Sequence, residues 1–142
     1  MPSSTFSHTA HASTPAMAIW TALQAAETWV GFGLMDAVTG AVVHEGRLVS
    51  FDWTATAGGS RHRGTATVGE SIPGEHMVLE LDSSEIAGTI TVTLVPDGDT
   101  TAMTVTLTAR SRGLLAGMFW GVVSDALERG LPRQVDQFAA RF

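Results

Sequence analysis

The sequence predicts an α+β fold in which a curved antiparallel sheet of six to seven strands is closed by one long C-terminal helix. Three observations carry this. Residues 34–110 are rich in Thr and Val and alternate with the period of two that half-buried strands show. Residues Ser111 to Phe142 instead space their apolar side chains as a helix does, interrupted by Gly130-Leu131-Pro132. Two short helical runs separate the first strand from the rest. A sheet that ends in one helix buries both apolar faces most economically by curling around it, an arrangement that often leaves a cavity.

Each element has its own signal. Thr5 to Ala12 alternates with Phe6, His8, Ala10 and Ala12 on one face, a first strand. Ser13-Thr14-Pro15 starts a helix over Ala16 to Leu23, with Ile19, Trp20 and Leu23 on one stripe. A second short helix covers Ala25 to Trp29 and ends at Gly31 and Gly33. Leu34 to Val38 reads as a strand, as does Arg47 to Ala55 with Val49, Phe51 and Trp53 on its apolar face. Four more strands follow, at about 62–72, 76–83, 86–95 and 102–110.

The last four strands can be registered against one another. Around Pro73-Gly74, Val68 meets Leu79 and Ala66 meets Leu81. Around Ser83-Ser84, Leu81 meets Ile86 and Met77 meets Ile90; around the 96–101 loop, Ile90 meets Leu107 and Val92 meets Val105. Apolar residues then share one face, and Thr65, Thr67, Glu80, Thr89, Thr91, Thr104 and Thr106 the other, which a one-residue slip would destroy. An L-Pro-Gly pair does not match hairpin twist, so that loop is expected to be longer than two residues.

In the closing helix Leu115, Met118, Phe119, Val122 and Ala126 form one stripe, and Val135, Phe138 and Phe142 another, rotated by about 160°. A kink at Gly130-Leu131-Pro132 reconciles the two; the alternative is a second apolar face through Trp120, Leu127 and Leu131. Gly113, Gly117 and Gly121 recur every four residues. Such spacing weakens the first half of a helix, as in a mobile lid, or admits a closely packed neighbour or a homodimer partner.

Composition excludes several functions. The 142 residues suit a single domain, 1–142, that buries roughly 70% of its unfolded surface. A net charge of −6, with Arg61-His62-Arg63 as the nearest thing to a basic patch, argues against nucleic acid. Without Cys, Lys or Tyr, thiolate sites, Schiff bases and tyrosine acid chemistry are unavailable. The histidines at 8, 11, 44, 62 and 76 lack metal-ligand spacing, so no metal is expected. No phosphate-cradling glycine loop or Gly-x-Ser-x-Gly occurs, and no cofactor is implied. Leu114 to Val123 is too short to span a membrane, and the N-terminus has no signal-peptide pattern, so a cytoplasmic location is expected.

The order of short strand, two helices, antiparallel meander and terminal helix is that of the helix-grip fold. Thr14-Pro15-Ala-Met-Ala-Ile-Trp20-Thr-Ala-Leu23 with Trp29 resembles the opening of the START-related superfamily (SRPBCC). That group includes polyketide cyclases, lipid-transfer domains and birch-pollen-allergen-like proteins. Ala126 to Phe138 is similar to its closing helix. The resemblance spans nearly the whole chain and rests on packing motifs, so it speaks for fold more than for function.

The resemblance implies a pocket between the concave face and the final helix. The inward register nominates Val49, Phe51, Trp53, Val68, Leu79, Leu81, Ile90 and Leu107 as its sheet wall, and Leu115, Met118, Phe119 and Val122 as its helix wall. Ordinary core is the competing reading for each. Gly88 and Ala109 fall together on the inner face and leave room there. His8, His62 and Glu70 share the inward parity. A desolvated Glu70 would be a general acid, although Gly69 before it also allows a bulge that turns it to water. His62 is the second acid–base candidate. The first expectation is a protein that binds a small hydrophobic or aromatic molecule. The alternatives are a polyketide cyclase or aromatase-type enzyme using Glu70 or His62, and a regulatory interaction domain with a collapsed pocket.

Overall fold

The computed structural model describes residues 2–57, 59–113 and 117–142. Seven strands form one antiparallel sheet: β1 (Ser3–Ala12), β2 (Met35–His44), β3 (Arg47–Ala57), β4 (Ser60–Ile72), β5 (His76–Ser83), β6 (Ile86–Asp97) and β7 (Thr100–Ser111). Their order is β1-β7-β6-β5-β4-β3-β2, so the first strand returns to pair with the last. Helix α1 (Ala16–Ala22) and a single 3-10 turn (Ala26–Trp29) connect β1 to β2, and helix α2 (Trp120–Ala139) closes the chain. The sheet curves around α2 in the helix-grip arrangement.

The hairpins show how local chemistry sets the register. Val68 lies opposite Leu79, but Ile72 pairs with His76, so Pro73-Gly74-Glu75 is a three-residue loop. The extra loop residue is cancelled by a bulge between Val68 and Ser71, which returns the strands to the register a two-residue turn would give. The β5–β6 hairpin differs from expectation. Leu81 meets Gly88 and Leu79 meets Ile90, a shift of two that keeps every side chain on its face. Ser83 causes it: its hydroxyl donates to the Ile86 carbonyl at 2.8 Å and accepts from the Ile86 amide at 3.0 Å, closing the turn over Ser84-Glu85. Ile90–Leu107 and Val92–Val105 pair as the alternation requires, and β6 continues through Asp97.

Strand β2 is longer than Leu34 to Val38 and turns into β3 at Glu45-Gly46, both with positive φ as a type I′ turn demands. It is an exposed edge with register shifts, so it lacks the buried alternation that marks the others. One shift lies between Val42–Ser50 and Val43–Leu48. It turns Leu48 into the core and Val49 out to 40% exposure. On the convex face hydroxyls pair across β1 and β7: Thr5 with Thr108 at 3.2 Å, Ser7 with Thr106 at 3.0 Å and Thr9 with Thr104 at 2.7 Å.

The terminal segment corrects the sequence reading. Residues through Ser111 belong to β7, and the Arg112 and Gly113 amides donate to the Glu85 carbonyl. Gly113 and Gly117 therefore both precede α2, and of the three glycines Gly121 is the one that lies in it. Within α2 the buried stripe is Val123, Leu127, Leu131, Val135 and Phe138, one face that runs through Pro132. Trp120 packs half-buried beside it. The inward side chains follow the second apolar face, so the apparent phase break disappears. Met118, Phe119 and Val122 point to solvent at 67%, 49% and 63% exposure.

Tethers hold α2 on the sheet. His8 and Asp136 are bonded at 2.9 Å, and the Trp120 indole donates to the Ser4 hydroxyl at 3.1 Å. The Gln134 side chain grips Gly33 from both sides, accepting from its amide at 3.0 Å and donating to its carbonyl at 3.1 Å. Trp29, Phe32, Phe138 and Phe142 form a row that joins the 3-10 turn to the helix end, Trp29 tilted on Phe32 and the two later pairs edge to face.

Candidate functional site

Curvature of the sheet, the Gly33-Leu34 turn with Met35 at the start of β2, and α2 together enclose an apolar concavity. Its walls come from Trp53 and Ala55 on β3, His62 on β4, Leu81 and Ser83 on β5, Ile86 and Gly88 on β6, Leu107 and Ala109 on β7, and Leu127 on α2. The free volume is about 40 Å³, room for one or two water molecules. Small residues create the space. A Cβ at Gly88 would stand 2.4 Å from the Thr108 carbonyl oxygen, so no larger residue fits on that strand. Leu127 and Leu107 reduce the space, both with methyl groups within 4.0 Å of a Cβ at Gly33.

The polar groups of this wall are nearly all committed. The Trp53 indole N–H donates to the Thr65 carbonyl at 2.9 Å, which leaves its ring carbons facing inward. Its ring crosses Gly64 so closely that a Cβ there would lie 2.2 Å from Cζ2. The Ser83 hydroxyl is spent on Ile86. His62, half-buried, is the titratable lining residue, and among the described residues its imidazole makes no hydrogen bond or ion pair. An apolar hollow with one uncommitted donor–acceptor suits a ligand that is mostly hydrocarbon and carries one polar group.

The sequence-nominated residues divide into several groups. Trp53, Leu81 and Leu107 line the hollow. Phe51, Leu79 and Ile90 face inward but are buried core outside its lining, and Val68 packs half-buried against that core. Val49 is excluded by its bulge. Met118, Phe119 and Val122 are on the outer side of the helix start, and Leu115 lies outside the described residues.

Glu70 is corrected as well. The bulge after Val68 turns it out of the concavity, leaves its side chain 64% exposed and pairs it with His76 at 2.8 Å. His8 serves structure through its bond to Asp136. Ala55 and Ile86 had the right parity to be nominated, and Leu127 was visible in the alternative helix face. Gly33 to Met35 carried no signal, since their role depends on the chain path between the 3-10 turn and β2.

One electrostatic feature stands apart from the hollow. Asp36 on β2 accepts hydrogen bonds from Thr54 at 2.9 Å and Thr56 at 3.0 Å. These bonds, aided by the more distant Arg61 cation, hold its carboxyl below the ordinary 3.8.

Solved structures share this architecture along nearly their whole length. The chain is similar to a START superfamily protein from Mycobacterium smegmatis at 17% identity and TM-score 0.65, covering 94% of this chain and 97% of that one. It is similar to the Zhui aromatase/cyclase of Streptomyces sp. R1128 at 15% identity and TM-score 0.70, covering 99% and 95%. A protein from Thermus thermophilus gives 14% identity and TM-score 0.73, covering 97% and 98%. At such identities the likeness speaks for the fold. A comparison with curated protein sequences gives no match. The sequence itself fits one family model over residues 13–142, from the turn before α1 to the end of the chain, and the protein belongs to the family described as Activator of Hsp90 ATPase homolog 1-like.

Proposed function

We propose that the protein binds a small, largely apolar or aromatic molecule in the hollow between the sheet and α2, with His62 bonding its single polar group. The observation that carries this reading is an apolar wall containing one uncommitted imidazole. The free volume of about 40 Å³ is far below a ligand pocket of roughly 300 Å³ or more, so binding requires Leu127 and the Gly33-Leu34 turn to move apart. The same small volume favours a second reading, an interaction domain with a filled core. An acid–base enzyme of the cyclase or aromatase kind would rest on His62 alone, because Glu70 is in solvent.

Native mass spectrometry of protein taken directly from cells tests for a bound small molecule. In calorimetry, 2-naphthol should bind, and His62→Phe should weaken it about tenfold while leaving naphthalene unaffected, the loss of one buried hydrogen bond. Absence of a co-purifying molecule together with no binding of either probe would leave the filled-core reading.

A further inference from the structure

A second concavity, sharing no lining residue with the hollow, lies where the end of α2 faces the chain after the 3-10 turn. It is an open groove of about 440 Å³ bounded by Arg133, Gln137 and Arg141 on one side and Val30 and Gly31 on the other, with Phe138 in its floor. Arg133 and Arg141 pair with no carboxylate among the described residues, and no acidic side chain lines the groove. In a chain of net charge −6, two uncompensated guanidiniums in one groove form a local positive site. Arg141 is held with its guanidinium 5.3 Å from the Phe138 ring centroid. Gln134 is occupied by Gly33, whereas the Gln137 amide makes no bond among the described residues.

The spacing selects the shape of the occupant. Arg133 is on α2 and Arg141 lies two residues past its end at Ala139; eight positions of near-helical chain put their Cα atoms about 12 Å apart, with Gln137 between them. An extended peptide advances about 3.3 Å per residue, so side chains four residues apart share a face at about 13 Å. We propose that this groove binds an extended acidic segment of a partner protein, two carboxylates four residues apart pairing with Arg133 and Arg141 while Gln137 bonds the intervening backbone. The site is independent of the apolar hollow.

Fluorescence anisotropy at low salt with a fluorescein-labelled Glu-Ser-Gly-Ser-Glu peptide tests it. Binding is expected to weaken about fivefold in Arg133→Gln and again in Arg141→Gln, both solvent-facing changes that leave the fold intact by circular dichroism. Salt should weaken it further, and a Gln-Ser-Gly-Ser-Gln peptide should not bind. Four results would each overturn the proposal. These are no binding up to about 1 mM peptide, a weak limit for a specific contact; unchanged binding in both variants; equal affinity for Glu-Glu-Ser-Gly-Ser; and displacement by inorganic phosphate at the peptide's own concentration, which would make the groove a small-anion site.

Discussion

Gly64 is required by its neighbour rather than by its own backbone. The Trp53 indole occupies the space a side chain would fill, 2.2 Å from an ideal Cβ, and the Asp82 carbonyl oxygen closes the other side at 2.6 Å. Neither the anchored ring nor the backbone is free to give way. Gly64→Ala should therefore destabilise the fold by about 1–3 kcal/mol, read from the urea midpoint, and alter the near-ultraviolet dichroism of tryptophan. Gly121→Ala is the matched control, because nothing lies within 4 Å of its Cβ; it should be neutral or gain up to about 1 kcal/mol. Asp36 gives the acid dependence a sign. The Thr54 and Thr56 bonds lower its folded pKa below the unfolded 3.8, so its contribution is whole above that value and is lost as the pH falls through the folded one. Carbon-detected NMR should show Asp36 titrating below the ordinary aspartate value of 3.8. Asp36→Asn should flatten the corresponding part of the stability profile below about pH 4.

Among the elements, α2 contains its own weak point. Pro132 has no N–H to give the Glu128 carbonyl, yet the helix continues to Ala139 because Leu131, Val135 and Phe138 are anchored in the core. Pro132→Ala should raise the melting temperature by the equivalent of about 1–2 kcal/mol, less than the roughly 3 kcal/mol measured in free helices, since the packing is built around the proline. Gln134→Ala should cost about 1–3 kcal/mol and speed hydrogen exchange at residues 30–35, because both polar groups of Gly33 lose their partner. Element order and facing were legible in the sequence for a physical reason: a face buried by curvature leaves a period of two that survives shifts of two, as in the β5–β6 hairpin. What was hidden is what breaks the period. The bulges at Val49 and Glu70 each reverse a side chain without changing the composition, and the exposed edge β2 has no buried face to mark it. In α2 an amphipathic stripe offset by one residue, Val123 rather than Val122, reassigned the whole helix wall of the site.

At the scale of the whole molecule, stability and capacity compete for one volume. Leu127 stands in both: it belongs to the buried stripe that fixes α2 to the sheet, and it narrows the hollow to about 40 Å³. Leu127→Ala should cost about 2–5 kcal/mol, the usual range for a buried leucine, out of the roughly 5–15 kcal/mol that holds a domain of this kind together. The variant should stay folded with a larger, still apolar cavity. If the hollow accepts ligands, an apolar aromatic such as naphthalene will return part of the lost stability by mass action, raising the melting temperature of Leu127→Ala more than that of the parent protein. Adding His62→Phe should leave this gain intact for naphthalene but diminish it for 2-naphthol, since the imidazole recognises only the polar group. A variant that is destabilised as expected but gains nothing from either compound would mean that the space Leu127 vacates collapses, and that the concave face is core rather than container.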